Sequence, residues 1–147
     1  MPAPRPTRTD FAWFLDMQTR WRDNDVYGHM NNVVYYEYFD TVVNKWLIES
    51  GALDIPYGPV VALVVETRCT YMASLGFPDR VTAALGVERI GGSSVTYRIG
   101  IFRNDEDEAC ATGQFIHVCV DKGTNRPIPV PDRMRAALAT IGAAPAP

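Results

Sequence analysis

Residues 32–50, "NVVYYEYFDTVVNKWLIES", constrain the fold more than any other stretch of the chain. Tyr35, Tyr38, Phe39, Val42 and Trp46 recur at spacings of three and four, the period of an α-helix. Tyr36, Val43 and Leu47 make a second stripe beside the first, leaving a narrow polar strip of Glu37, Thr41, Asn44 and Lys45. A strand would need a period of two and would not run this long. A helix so apolar around its girth has to be enclosed by other elements. Gly51 suits the position just past its end, where left-handed backbone is wanted.

The remaining segments read as strands. In residues 15–21, "LDMQTRW", Leu15, Met17, Thr19 and Trp21 share one face. Beyond the helix come a long apolar run at 59–72, then strands at 79–90, 94–104 and 108–121. "GGSS" and "NDED" turn the chain tightly between the last three, which makes them an antiparallel meander. A short C-terminal helix enters at Pro131. The expected fold class is therefore α+β, with an antiparallel curved sheet wrapped around one long central helix. Its length of 147 residues points to a single domain over 1–147. The ends, 1–12 and 142–147, are expected to fray. A sheet that wraps one helix still has open edges and an outer face, and pairing with a second copy is the natural remedy.

Several function classes drop out on composition. The net charge of −3 gives no basic field to attract nucleic acid. No apolar run approaches the ~20 residues needed to span a membrane, and the first ten residues lack the apolar core of a signal peptide. A soluble cytoplasmic protein is the expectation. Cys69, Cys110 and Cys119 form no CxxC pair and read as buried thiols. His117 shares a strand face with Cys119 and reads as structural too. No dinucleotide fingerprint is present, and no cofactor is expected.

The chemistry-bearing stretch is "RWRDNDVYGHMNN", residues 20–32, just ahead of the helix. As a calcium loop it fails, because Tyr27 and Val34 stand where ligands are needed. A zinc or iron site from Asp23, Asp25 and His29 would want partners the chain hardly has, since it holds only two histidines. No metal is expected. As a helix cap the stretch is good: Asn31 can accept from an N–H two or three residues on. A cap alone does not require two acids, Gly28 and His29 together. The third reading is an active site. The first N–H groups of a helix are free to bind an anion or a developing oxyanion. An acid a few residues upstream can lie beside them, and Gly28 lets the backbone approach a ligand closely.

The segment "DNDVYGHMNN" followed by "VVYYEYFD" resembles the D-x-D-x-x-G-H-x-N-N segment of the hotdog-fold acyl-CoA thioesterases, the 4-hydroxybenzoyl-CoA thioesterase-like group in particular. The resemblance spans about residues 14–122. It implies a hotdog fold, hydrolysis of an acyl-CoA (or acyl-acyl-carrier-protein) thioester, and a homodimer or dimer of dimers with sites at the subunit interface. It implies that Asp25 is the catalytic carboxylate, as nucleophile or as base for a water, and that the oxyanion-binding N–H lies at or next to Asn32. His29 matches a "GHxNN" variant similar to plant acyl-carrier-protein thioesterases, where a His and an Asn take part. Here Tyr27 stands at that Asn position, so a catalytic and a structural role for His29 both remain open. Asp23 reads as a loop-shaping acceptor.

Other candidate substrate-binding residues are Tyr27, Gly28 and Asn31 in the loop, Met72 and Phe77 in the segment 71–81, and Ser94 in "IGGSSV". Arg89, Arg103, Lys122 and Arg126 are candidate contacts for CoA phosphates. Two rival functions stand beside the thioesterase. One is a hotdog-fold enoyl-CoA hydratase, against which the three-residue gap between Asp25 and His29 argues, since that group resembles Asp-x4-His. The other is a dimer that binds acyl-CoA without turnover.

Overall fold

The computed structural model describes residues 4–142. Its order of elements is β1 (Trp13–Gln18), α1 (Asn32–Glu49), β2 (Val60–Tyr71), β3 (Arg80–Ile90), β4 (Ser94–Arg103), β5 (Ala111–Asp121) and α2 (Asp132–Ala139). The five strands form one antiparallel sheet in the order β1-β3-β4-β5-β2. The meander β3-β4-β5 is central, with β1 and β2 at the edges.

The helix packs into the concave side of this sheet. Tyr35, Tyr38, Phe39, Val42, Val43, Trp46 and Leu47 are all buried, so both expected stripes face the core. The helix comes close to β5 near the start of that strand. A Cβ on Gly113 would lie 2.5 Å from the ring of Phe39, so only glycine lets the helix settle this deep. Gly51 ends the helix at φ +70. Enclosure within one chain is nevertheless incomplete: Val33 and Ile48 on α1 are 66% and 55% exposed. So is edge strand β2, where Leu63, Val64 and Val65 all face outward to solvent.

Two expectations need correction. The first strand stops at Gln18, short of Trp21. Asp23 captures the Arg20 N–H on Oδ2 at 2.7 Å, which turns the chain into a short 3-10 helix, Trp21–Asp23, and ends the ladder. Trp21 is left 80% exposed instead of sharing a strand face. Residues 4–12, expected to fray, form a strap across the outer face of the sheet. Arg5 Nε donates to the Ala109 carbonyl and the Ala109 N–H to the Pro6 carbonyl. Phe11 drops its ring onto Gly100, where a Cβ would meet it at 2.7 Å, and stands edge-on to Phe102. That aromatic anchor outweighs the polar character of the segment. Of the tail, 143–147 lie outside the described residues.

Candidate active site at the start of the central helix

Capping at the start of α1 leaves the Asn32 donor over. Asn31 is extended (φ −58, ψ 139), and its Oδ1 accepts from the Val33 N–H at 3.0 Å. The Val34 N–H donates to the Asn31 carbonyl, also at 3.0 Å. The Asn32 N–H donates to no group among the described residues. This is the positive end of an 18-residue helix, where an anionic oxygen is favoured.

The preceding loop is pinned at several points. Asp23 is buried, and beyond the Arg20 N–H its carboxylate takes the Arg20 guanidinium at 2.8 Å, while its carbonyl accepts from the Asn31 N–H at 2.8 Å. It is thus the loop-shaping acid. Asp25 closes a tight turn, its Oδ1 accepting from the Tyr27 N–H at 2.9 Å and its carbonyl from the Gly28 N–H at 3.1 Å. Gly28 sits at φ +79, a conformation L side chains resist. The Asp25 N–H returns to the His29 carbonyl at 2.9 Å. Segment 72–79 braces the loop from outside: Met30 N–H to Leu75 carbonyl, and Phe77 N–H to Asn24 Oδ1. Gly76 backs directly onto the Gly28 carbonyl, where a Cβ would come within 3.0 Å.

Two depressions open on either side of the Gly28–His29 backbone. One, of about 300 Å³, is lined by His29, Asn32, Tyr35, Tyr71, Met72 and Ser74 among others. Its floor is an edge-to-face pair of Tyr35 and Tyr71, and the Tyr71 hydroxyl donates to the Asn32 carbonyl at 3.1 Å. Burial pushes the Tyr35 hydroxyl up to about 12, which keeps it neutral. The other depression, of about 540 Å³, is lined by Trp21, Asn24, Asp25, Val26 and Gly28. Its Trp21 stands edge-on to Phe77.

Of the residues singled out from the sequence, His29, Asn32 and Met72 therefore line the first depression. Asp25 and Gly28 line the second, with Phe77 against its Trp21 wall. Tyr27 is 81% exposed, and Asn31 serves as the cap. Ser94 is not brought to this site within one chain. It pairs with Val118, while Ala111, at the other end of β5, pairs with Tyr71 beside Asn32. Those positions on β5 are about 23 Å apart at ~3.3 Å per residue. Arg103 is engaged by Glu106 and the Ser74 carbonyl. Burial pushes all three thiols up from their ordinary value, which holds them protonated and inert. Among the described residues no cluster of His, Cys, Asp and Glu is built to hold a metal ion. No helix of these residues is long and apolar enough to cross a membrane.

Two contributors were not singled out from the sequence. Tyr71 ends β2 in an alternating run and looks like any strand residue, and its contact to Asn32 is 39 residues distant. Asn24 looks like filler between two acids, yet it holds Phe77.

A curved antiparallel sheet around one long helix, with the helix N-terminus open behind a carboxylate loop, is the hotdog fold. The chain belongs to the Thioesterase-like superfamily, whose family model matches residues 19–138. It is similar to the crystal structure of PA5185 from Pseudomonas aeruginosa strain PAO1, at 48% identity and a TM-score of 0.92, covering 96% of this chain and 99% of that one. The YsmA protein of Bacillus subtilis (strain 168) is 24% identical over 131 residues, 89% of this chain and 88% of that protein. Slr0204, a 1,4-dihydroxy-2-naphthoyl-CoA thioesterase from Synechocystis, shares the fold at 18% identity and a TM-score of 0.77, over 86% of this chain and 94% of that one.

Proposed function

We propose that the protein is an acyl-CoA thioesterase in which Asp25 supplies the carboxylate and the Asn32 N–H supplies the oxyanion donor. The observation that carries this reading is the uncommitted Asn32 N–H at the capped start of α1, with Asp25 in the loop just ahead of it, across Gly28–His29 from the depression that Asn32 lines. An acyl carbonyl seated there gains negative charge as its thioester is attacked, and a fixed donor at that point stabilises the charge without reorganising. Asp25 either attacks the carbonyl to form a mixed anhydride or takes a proton from an attacking water. Trapping of an acyl-enzyme by hydroxylamine separates the two routes. His29 contacts the substrate at the rim of the depression. Membership of the superfamily supports thioester chemistry, and Slr0204 is an example of the same fold acting on an acyl-CoA.

The working unit is a homodimer formed through β2. The exposed apolar run on this unpaired edge is what a soluble monomer avoids. Pairing there carries the Ser94 end of one sheet toward the loop of the other copy, which gives Ser94 a role across the interface. The unpaired thiols fit a reducing cytoplasm.

The test is hydrolysis of acyl-CoA and acyl-acyl-carrier-protein substrates by wild type and Asp25→Asn. Asn keeps the oxygen that accepts from Tyr27, so the loop is preserved while the charge is lost. A fall of about 10²–10⁴ in kcat is expected. Unchanged turnover in the variant removes Asp25 from the chemistry. Addition of water to crotonyl-CoA instead of hydrolysis marks the hydratase. Thermal stabilisation by acyl-CoA without turnover marks a binding protein.

A further inference from the structure

The outer face of the sheet, behind the proposed active site, carries a recess of its own. It is a cleft of about 290 Å³ between the sheet and the strap, with Pro6 and Phe11 on its strap side. Arg68, Thr70, Glu88, Arg98, Thr112 and Gln114 line the sheet side. Strand pairing explains why these side chains meet. Gln114 on β5 is opposite both Arg68 on β2 and Arg98 on β4, and Thr112 is opposite Thr70 and Gly100. Residues two apart on a strand share a face, so the row Arg68, Gln114, Arg98 lies beside the row Thr70, Thr112, Gly100. The two arginines stand one strand to either side of Gln114, about 10 Å apart at ~4.8 Å per strand.

The polar groups of the cleft are oriented but not used up. Arg68 Nη2 donates to Gln114 Oε1 at 2.7 Å, and Gln114 Nε2 donates to Glu88 Oε2 at 2.9 Å. This relay fixes the Arg68 guanidinium on the cleft wall. Arg98 Nη2 donates to the Asp10 carbonyl at 2.6 Å, and its guanidinium lies over the Phe11 ring. Its Nε is shielded from solvent and has no partner among the described residues. The Thr70 and Thr112 hydroxyls, opposite one another, also bond no group among the described residues. Holding the strap accounts for the contacts of Arg98 to Asp10 and Phe11. It does not account for Arg68, nor for a shielded Nε without an acceptor, which is costly. What the cleft lacks is an acceptor. It sets two guanidinium groups and two hydroxyls against the one carboxylate of Glu88, in a chain whose net charge is −3.

We propose that this cleft is a binding site for a phosphate group, separate from the proposed active site and independent of the thioesterase reading. Guanidinium forks match phosphate oxygens, and the threonine hydroxyls supply further donors. At roughly 30 Å³ per water-sized group, the cleft admits on the order of ten heavy atoms. Inorganic phosphate or a small phosphate monoester fits, and a nucleotide does not. Glu88 repels the anion and limits its affinity. Thr70 is next in the chain to Tyr71, whose hydroxyl holds the Asn32 carbonyl. The anion thus binds at the back of the strand that supports the proposed oxyanion donor.

The test is titration of the isotope-labelled protein with inorganic phosphate and, separately, with glycerol phosphate at constant ionic strength, read by amide and arginine Nε–H resonances. Saturable shifts are expected at Arg68, Thr70, Thr112 and Gln114 and at the Arg98 Nε–H. Saturation by either probe supports the site, and the tighter of the two tells free phosphate from an ester as its source. Arg68→Gln and Arg98→Gln should each weaken binding about tenfold, the loss of one charge-assisted hydrogen bond. Glu88→Gln keeps an acceptor for Gln114 and should tighten binding about threefold. No saturable shift with either probe, shifts confined to residues 25–33, or unchanged affinity in Arg68→Gln overturns the proposal. Arg68→Gln keeps the test decisive if Arg98→Gln loosens the strap, because the Arg68 bond is to Gln114.

Discussion

The role given to the Asn32 N–H can be tested by deleting that one backbone donor. Asn32→Pro does so at a position where proline is unusually well accepted. Asn32 is the first residue of α1, where the fixed φ of proline suits the helix and the missing N–H breaks no intrahelical bond. The residue before a proline must be extended, and Asn31 already is, at ψ 139. The Asn31 cap is kept, because it accepts from Val33. The Tyr71 bond is kept as well, because it goes to the Asn32 carbonyl. Stability should therefore change by less than about 1 kcal/mol, or less than about 4 °C in Tm for a domain of this size. Loss of one oxyanion donor costs about 2.7–4 kcal/mol in the transition state, so kcat should fall about 10²–10³-fold with little change in KM. Asn32→Ala is the control: it removes the side chain, keeps the N–H, and should stay near wild-type kcat. The assay is steady-state hydrolysis of acyl-CoA substrates with a melting curve for each variant. A folded Asn32→Pro protein that turns over at the wild-type rate would refute the oxyanion argument outright.

Three other outcomes are expected. Gly113→Ala drives a methyl into Phe39 and should cost about 2 kcal/mol by overpacking, a fall of about 6–8 °C in Tm; adding Phe39→Leu should recover part of it. His117 is buried and burial pushes it down to about 4 from an ordinary 6.5, so the unfolded chain takes up its proton first as pH falls. Its contribution is complete above pH 6.5 and is lost on the way to 4. His117→Phe should therefore lose about 2 kcal/mol less stability than wild type between pH 7 and 5 in urea titrations. Val65→Lys places a charge in the middle of the exposed β2 edge and should leave the fold unchanged but halve the mass seen by light scattering.

Much of the architecture was legible because its signals are local. The two stripes of α1, the tight turns of the meander and Asn31 ahead of Asn32 each report on neighbours a few residues away. The candidate site was legible to the extent that it lies on one continuous stretch, from Asp23 to Asn32. What escaped the sequence is what depends on distant partners. Trp21 fits the alternation of the first strand, but Asp23 captures the Arg20 N–H and turns the chain first. Phe11 sits in a proline- and arginine-rich segment, and nothing near it announces that Gly100 will offer a flat seat. Tyr71 reaches Asn32 only once the helix lies across the sheet. Ser94 is a candidate substrate contact by sequence, yet within one chain it and the end of β2 beside Asn32 lie at opposite ends of β5.

The strap of residues 4–12 also bears on larger assemblies. It lies over the outer face of the sheet, with the guanidinium of Arg8 on the Phe102 ring and that of Arg98 on the Phe11 ring. Were two of the proposed dimers to associate, they could not stack bare sheet on bare sheet at this end. Either the strap becomes part of the contact between them, or a tetramer must form through another surface. A chain shortened past Phe11 would lose this cover, and its state of association would report which of the two holds.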